Sequence, residues 1–594
     1  MVAKVTQIFA ASCLLMLFNS LTITLSRAQT GNRVQLPQNN FPSLPQLPLP
    51  QDVQAPSPRT PPTPPSLPPQ LPPPSELLQS DQPLPTPDES LPTTLQIFTV
   101  KKFEVIGSTV FSPEKLNQEL AEFINKPITF AQLIEARSRI TGLYINAGYF
   151  TSEAYIPEQT LTSGVVRIQV IEGELEDIQI TGTRRLNPNY IRSRIALGAS
   201  TPLNQKRLLE SLQLLLQLNP LIQNLSATLF AGSRKGANLL AIKVTEADSF
   251  NIQTVLDNGD SPSTGSFRRQ LRINEANLLG FRDSISFVYS NTNGSNSIGV
   301  GYRLPLNPRN GTLTFIYGNR SANVIEPPFD FLDIESASQY YELTFRQPLV
   351  QTPNQEFAFG ITASLLETDI SSLLQREFGV PASELSPGAD EEGRTRVSAL
   401  RFFQQWTNGN SQEVIAAGSE FILGIGAFNA TINETAPDSR FFAWQGQAQW
   451  VRLLAPDSLL LIRGKMQLAS RRLLPSEQFG LGGINSVRGY RQNLLLADNG
   501  AFASVELRLP IARVSQWNGL LQVTPFVDLG TAWNNSSSRY ETNTLASVGL
   551  GLRWSQGNNF NVGVEWGIPL VSVDTQRNTW QENGLYFFVQ YNPF

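Results

Sequence analysis

Arg488 and Asp528 are the two residues whose types and settings carry the clearest chemistry in this sequence. Arg488 belongs to Val487-Arg488-Gly489-Tyr490, shortly after Gly482-Gly483, so glycine-rich backbone flanks its guanidinium. Asp528 belongs to Phe526-Val527-Asp528-Leu529-Gly530, a short run with the look of a strand. A guanidinium on a pliant loop and a carboxylate on a strand can form a charge-assisted pair, one of the stronger hydrogen-bond types. Catalytic chemistry finds less support. The chain has no histidine, which excludes Ser-His-Asp and Cys-His arrangements and imidazole metal sites. Its one cysteine, Cys13, lies in an N-terminal apolar run, so a mature chain is expected to hold no disulfide or thiolate metal site. Carboxylates remain, but no motif positions a pair of them, and no G-x-x-x-x-G-K-[ST] run is present. No enzyme activity, cofactor or metal is therefore expected. A net charge of -4 without a dense Lys/Arg block gives no case for nucleic acid.

The elements that must position these residues have a period of two. From 248 to 594, apolar residues alternate with polar or small ones: Phe442, Trp444, Gly446, Ala448 and Trp450 against Gln445, Gln447 and Gln449. Phe560, Val562, Val564, Trp566 and Ile568 likewise alternate with Asn561, Gly563, Glu565 and Gly567, and Ile462, Met466 and Leu468 with Arg463, Lys465 and Gln467. One face suited to lipid and one bearing amides and charges is what a transmembrane β-barrel requires. About sixteen such strands can be counted, starting near 249, 266, 283, 296, 311, 336, 355, 396, 412, 440, 458, 501, 519, 545, 559 and 584. Long polar stretches (Asn323 to Asp333, Ser371 to Thr395, Phe428 to Ser439, Arg471 to Asn499, Asn534 to Asn543) follow odd strands, and tight turns follow even ones. That asymmetry fits an N-terminus on the periplasmic side. The lumen candidates are Gln445, Gln447, Gln449, Arg463, Lys465, Glu506, Arg508 and Glu565. Their mixed polarity suits passage of an unfolded chain, and equally a solvated inner wall.

Ahead of the barrel, residues 97–173 and 174–247 form an internal repeat of about 75 residues. Phe103 to Gly107 opens one copy and Ile178 to Gly182 the other. Each continues with two helical patterns, Pro113 to Phe123 and Phe130 to Asn146, then Asn187 to Ala196 and Leu203 to Leu218. Closing strands before Glu172-Gly173 and before Glu246 complete two small α+β modules. Residues 29–95 hold about half of the 42 prolines and predict an extended polyproline linker, serving as a spacer, a partner ligand or a pore-threading segment. Residues 1–28 read as a secretory signal: Lys4, an apolar run, then Ser26-Arg27-Ala28.

The loop and strand motifs together resemble the signatures of the outer-membrane superfamily that moves polypeptides across or into bacterial outer membranes. The repeats are similar to POTRA domains, with Phe103, Gly107, Gly148, Tyr149 and Gly182 as the residues that carry the likeness. Two such repeats, a sixteen-strand barrel and the internal Val-Arg-Gly-Tyr loop look like the two-partner secretion transporter of the hemolysin secretion and activation type. Barrel-assembly insertases share the loop but typically carry more repeats, and the plastid import relatives three. An insertase and a passive porin stand as alternatives.

The resemblance implies a mostly β chain in the outer membrane, its POTRA domains in the periplasm. Loop 471–499 would fold into the lumen and bring Gly482, Gly483, Val487, Arg488, Gly489 and Tyr490 to Phe526, Asp528 and Gly530 on the thirteenth strand. Its partners would be an unfolded, secreted, β-rich exoprotein, outer-membrane lipids and the outer-membrane assembly machinery, the last reading the terminal Phe594. An N-terminal plug helix, found in some of the family, conflicts with Pro37, Pro42, Pro45, Pro48 and Pro50.

Overall fold

A computed structural model describes residues 72–80, 97–160, 164–536, 542–573 and 578–593, all within one unit, Pro48–Phe594. The expected leader, most of the proline-rich stretch and Phe594 lie outside the described residues. Inside that stretch the spacer expectation needs correcting. A helical turn α1 (Pro74–Leu77) leads into a strand β1 (Leu78–Ser80). Leu77 and Leu78 interrupt the prolines there and supply an apolar anchor: Leu77 is fully buried.

The first module runs β2 (Ile97–Thr99), β3 (Lys102–Ile106), α2 (Pro113–Leu120), β4 (Pro127–Thr129), α3 (Phe130–Asn146), β5 (Glu153–Tyr155) and β6 (Val165–Ile171). Strand β3 lies parallel to β6, which pairs antiparallel with β5. Thr129 and Gln132 form a capping box that starts α3. Phe103, Leu120, Ile140, Tyr144 and Ile168 fill the core between helices and sheet. The second module repeats the plan with β7 (Glu174–Thr181), α4 (Pro188–Ile195), α5 (Gln205–Leu218), β8 (Ile222–Ala231) and β9 (Ala237–Glu246). Its sheet order is β1-β8-β9-β7, so the strand from the proline-rich stretch occupies the β8 edge.

The repeat is physical as well as sequential. Gly107 and Gly182 leave β3 and β7 with φ of +87° and +84°, a conformation that favours glycine. A Cβ there would lie 2.5 Å from the Val170 carbonyl oxygen, or 2.1 Å from that of Val244. Glu172 then accepts the Thr109 and Val110 N–H groups, as Glu246 accepts those of Arg184, Arg185 and Leu186. One carboxylate thus caps the same turn in both copies.

The alternating region closes into a sixteen-stranded antiparallel barrel, from Phe250–Asp257 to Leu585–Tyr591. The strand starts expected from alternation fall within about two residues of those observed. Val505, Val527, Leu529, Leu552 and Val564 face outward and are exposed, whereas Ser504, Glu506, Phe526 and Asp528 are buried on the inside. Among the described residues no helix is long and apolar enough to cross a membrane. Long connections follow odd strands, with one departure. After the third strand (Ser295 begins the fourth) the turn is only Thr292–Gly294, because it is hemmed between neighbours: Gly294 N–H bonds the Thr264 carbonyl and its own carbonyl accepts Asn323 N–H.

At the opposite rim, two barrel turns meet the second module. Asn187 N–H reaches the Gly280 carbonyl at 2.8 Å and Arg185 the Asn277 carbonyl at 3.2 Å. Arg194, stacked 3.6 Å above the Tyr190 ring, reaches Asn310 Oδ1 at 3.0 Å and the Asn307 carbonyl at 3.2 Å. The second module is thereby bolted to the barrel mouth through α4.

Candidate functional site

The connection between the eleventh strand (Ser458–Ala469) and the twelfth (Asn499–Val514) does not stay outside. It folds inward as a hairpin, Phe479–Leu481 paired with Leu495–Ala497. Phe479, Leu481, Val487, Tyr490, Leu495 and Ala497 of the loop pack with Phe502, Ala532 and Leu545 of the wall. An apolar cluster therefore seats the loop before any charge is considered.

At the loop tip, Arg488 is 1% exposed. Its Nε donates to Asp528 Oδ2 at 2.8 Å and its Nη2 to Oδ1 at 3.0 Å, the two-pronged geometry that guanidinium and carboxylate planes favour. Its main-chain N–H adds a third bond to Asp528, at 3.1 Å. Nη1 reaches Glu506 at 2.7 Å and Glu565 at 3.1 Å. Phe526 lies beneath the guanidinium, 3.4 Å from its central carbon to the ring centre, a cation–π stack. Three wall carboxylates share this one loop cation; Arg508 supplies Glu506 with a second partner at 2.9 Å. The arrangement fastens the loop tip to the barrel wall.

Close backbone approach completes the seat. Gly489, at φ +98°, passes so near Gly567 of the fifteenth strand that a Cβ on Gly567 would lie 2.5 Å from Gly489 N. Gly489 N–H donates to the Tyr586 hydroxyl at 3.1 Å, and that hydroxyl donates onward to the Tyr490 carbonyl. The Tyr490 hydroxyl donates to the Ala546 carbonyl at 2.9 Å and accepts Val571 N–H at 3.1 Å. Gly530 leaves room for Leu481, whose Cδ1 a Cβ would meet at 2.4 Å. Gly482 and Gly483 turn the chain at φ of +106° and +99°. The tip thus touches strands twelve through sixteen.

The structure brings together every loop and wall residue singled out from the sequence, and adds Glu506 and Glu565, which sequence reading placed in the lumen without a partner. Gln445 bonds Gln467 at 2.8 Å, Arg463 bonds Ser504 at 3.4 Å, and Lys465 faces the Phe479 ring at 5.6 Å. Gln447 and Gln449 share the Gln445 face of their strand. Phe103, Gly107, Gly148, Tyr149 and Gly182 stay in the modules, where they shape core and turns rather than the lumen.

Two further ties were not legible beforehand. Glu477, in the descending limb of the loop, meets Arg401 of the eighth strand at 2.6 Å, both nearly buried. Arg491 meets Glu326, in the connection after the fifth strand, through two bonds of 2.7 and 2.8 Å. Only the inward phase of Arg401 on its strand hinted at the first. Nothing local in the sequence pointed to the second.

The family of haemolysin secretion/activation proteins ShlB/FhaC/HecB matches residues 236–554, and the ShlB-type POTRA domain matches residues 98–173. The outer membrane transporter CdiB of Escherichia coli O6:K15:H31 (strain 536 / UPEC) is 22% identical over 513 residues, covering 84% of each chain. The heme/hemopexin transporter protein HuxB of Haemophilus influenzae (strain 86-028NP) is 22% identical over 505 residues, covering 80% of this chain and 83% of its own. The solved structure of CdiB from Escherichia coli has a TM-score of 0.63 at 21% identity, covering 86% of this chain and 94% of that one.

Proposed function

Given that this chain belongs to the haemolysin secretion/activation protein family, the outer-membrane transporters of two-partner secretion, we propose how its parts divide that work. The protein sits in the outer membrane with its α+β modules on the periplasmic side. The modules capture an exported, unfolded, β-rich exoprotein. The barrel lumen then passes that chain outward, and folding outside draws it through. No covalent chemistry is required of any residue. Lipid surrounds the outward strand faces, and the assembly machinery inserts the barrel during biogenesis.

The observation that carries this reading is the Arg488 seat. A loop folded into the barrel is held by charged groups that water can solvate once it leaves, with Asp528, Glu506 and Glu565 on the wall. A reversible charge seat suits a loop that moves aside for cargo.

Removing residues 97–247 tests the division of labour. The expected result is a heat-modifiable, inserted barrel that still conducts ions in planar bilayers but exports no exoprotein. Unchanged export by that variant contradicts the reading. Recovery of nascent barrel proteins, instead of a secreted partner, on the purified full-length chain points to insertion instead.

A further inference from the structure

The inner wall of the barrel treats its arginines differently at its two ends. Toward the outside each is answered by a carboxylate: Arg268 meets Asp257 at 2.8 Å, Arg320 meets Asp260 at 3.5 Å, and Arg401 meets Glu477 at 2.6 Å. Toward the second module that pattern breaks. Arg272 in the second strand (Arg268–Glu275), Arg303 in the fourth (Ser295–Pro305), Arg463 in the eleventh and Arg553 in the fourteenth (Thr544–Gln556) lie in the halves nearer the module-side turns. Register turns all four inward. Arg463 lies opposite Ser504, itself opposite Asp528, and Arg553 lies opposite Gln522, in phase with Asp528. Arg272 shares the phase of Arg268, opposite Asp257, and Arg303 that of Ser297, opposite Arg320. Among the described residues none of the four has a carboxylate within ion-pair distance. Arg272 and Arg463 each keep a buried Nε without a hydrogen-bond partner. The carboxylate that these halves turn inward, Glu356, is already held by Arg346. Glu506, level with the loop tip, is shared by Arg488 and Arg508. Below the seated loop the wall therefore carries fixed positive charge without its counter-charge.

We infer that the module-side half of the lumen is an anion-accepting vestibule, and that its ligand is a carboxylate-rich stretch of polypeptide. A cleft lined by one sign of charge, with low-dielectric walls, focuses the field and concentrates the opposite charge inside it. Guanidinium forks match carboxylates in shape as well as sign. The four arginines do not converge on one point. They spread along the arc that runs from the eleventh strand through the sixteenth to the fourth, so no compact anion satisfies them together. An extended chain with several acidic side chains does, and it exchanges one arginine for the next without being gripped. Acidic segments of a client are thus drawn in from the modules as far as the loop tip, where the arginines are already paired. This inference rests on the translocation reading for the source of the polypeptide; the preference for anions does not.

The test is the reversal potential of open events of the full-length protein in planar bilayers under a KCl gradient. The wild type is expected to pass chloride over potassium by at least about threefold in dilute salt, and by less in concentrated salt, which screens the wall. Arg272→Gln, Arg303→Gln, Arg463→Gln and Arg553→Gln combined should bring that ratio to about one or below. If the combined variant fails to insert, Arg303→Gln and Arg553→Gln singly should each move the ratio in the same direction. An oligo-aspartate peptide added on the module side should interrupt wild-type currents, with at least about tenfold more needed for the combined variant. An oligo-lysine peptide of equal length should leave the currents unchanged. A wild type that prefers potassium, or variants with its full chloride preference, overturns the vestibule. Chloride preference without interruption by oligo-aspartate, or equal interruption by oligo-lysine, overturns the acidic polypeptide as ligand. These arms need no secretion, whereas export by the 97–247 deletion speaks only to the translocation reading.

Discussion

Arg488 shows how one residue can be over-determined by its neighbours. Its guanidinium is fully used: two prongs on Asp528, one nitrogen shared by Glu506 and Glu565, and a face on Phe526. Deleting one partner of a buried ion pair costs on the order of 3–5 kcal/mol, mostly because the abandoned charges stay buried. Arg488→Ala is therefore expected to leave an inserted, heat-modifiable barrel while lowering export at least about tenfold. Arg488→Lys keeps the charge but loses the planar fork, and should fall between. Export by Arg488→Ala at the wild-type level would show that the seat is a latch without a part in transport. The pair with Asp528 was legible because the loop and strand motifs, Val487 to Tyr490 and Phe526 to Gly530, together resemble those of a family in which the two meet. Glu506 and Glu565 were visible only as inward-facing acids, since proximity across non-adjacent strands is a property of closure and not of any local window.

At the scale of elements, the loop is tied at three places along its length. Arg401 holds its descending limb through Glu477, Arg488 its tip, and Arg491 its return through Glu326. Arg401→Met strands Glu477 and should raise the frequency of open events in planar bilayers. Adding Glu477→Gln should reverse much of that change, with a coupling of about 1–3 kcal/mol in a double-mutant cycle. Independent effects of the two changes would contradict the tie. In the first module, burial alone would raise the Glu172 carboxyl. Bonds from the Thr109 hydroxyl and N–H, the Tyr144 hydroxyl and Val110 N–H outweigh it, holding Glu172 below the ordinary carboxylate range. A depressed carboxyl stabilises the fold fully above its unfolded value, about 4.3, and that support is lost as pH falls through the folded value. Protection of the Thr109 and Val110 amides against hydrogen exchange, corrected for intrinsic rates, should therefore drop in that acid window, and Glu172→Gln should flatten the dependence. Helices and strands here were readable almost residue by residue, because caps, glycines and alternation are local. The strand Leu78–Ser80 was not, since three residues among prolines acquire strand geometry only from the distant edge they lie on.

For the whole molecule, the joint made by Arg185 and Arg194 fixes the second module at the barrel rim, so captured segments are presented near the lumen and not at a distance. The sequence could give the order of parts and the strand count. It could not give this docking, which arises where loops of unrelated periodicity happen to meet. The apolar cluster beneath the loop has its own consequence. Phe479, Leu481, Val487, Tyr490 and Leu495 are buried with the loop seated, and the proposed departure of the loop would wet them. Exposing roughly 500 Å² of apolar surface raises the heat capacity by ~0.2 kcal/mol/K, the same sign that curves the stability of a folding domain. The seated state should then have a temperature of maximum occupancy, losing ground on cooling as well as on heating. Open probability of the full-length channel between about 10 and 45 °C, plotted in van't Hoff form, is expected to bend. A straight line would mean the cluster stays dry throughout, and that the loop shifts as a sealed body without surrendering its grip on the wall.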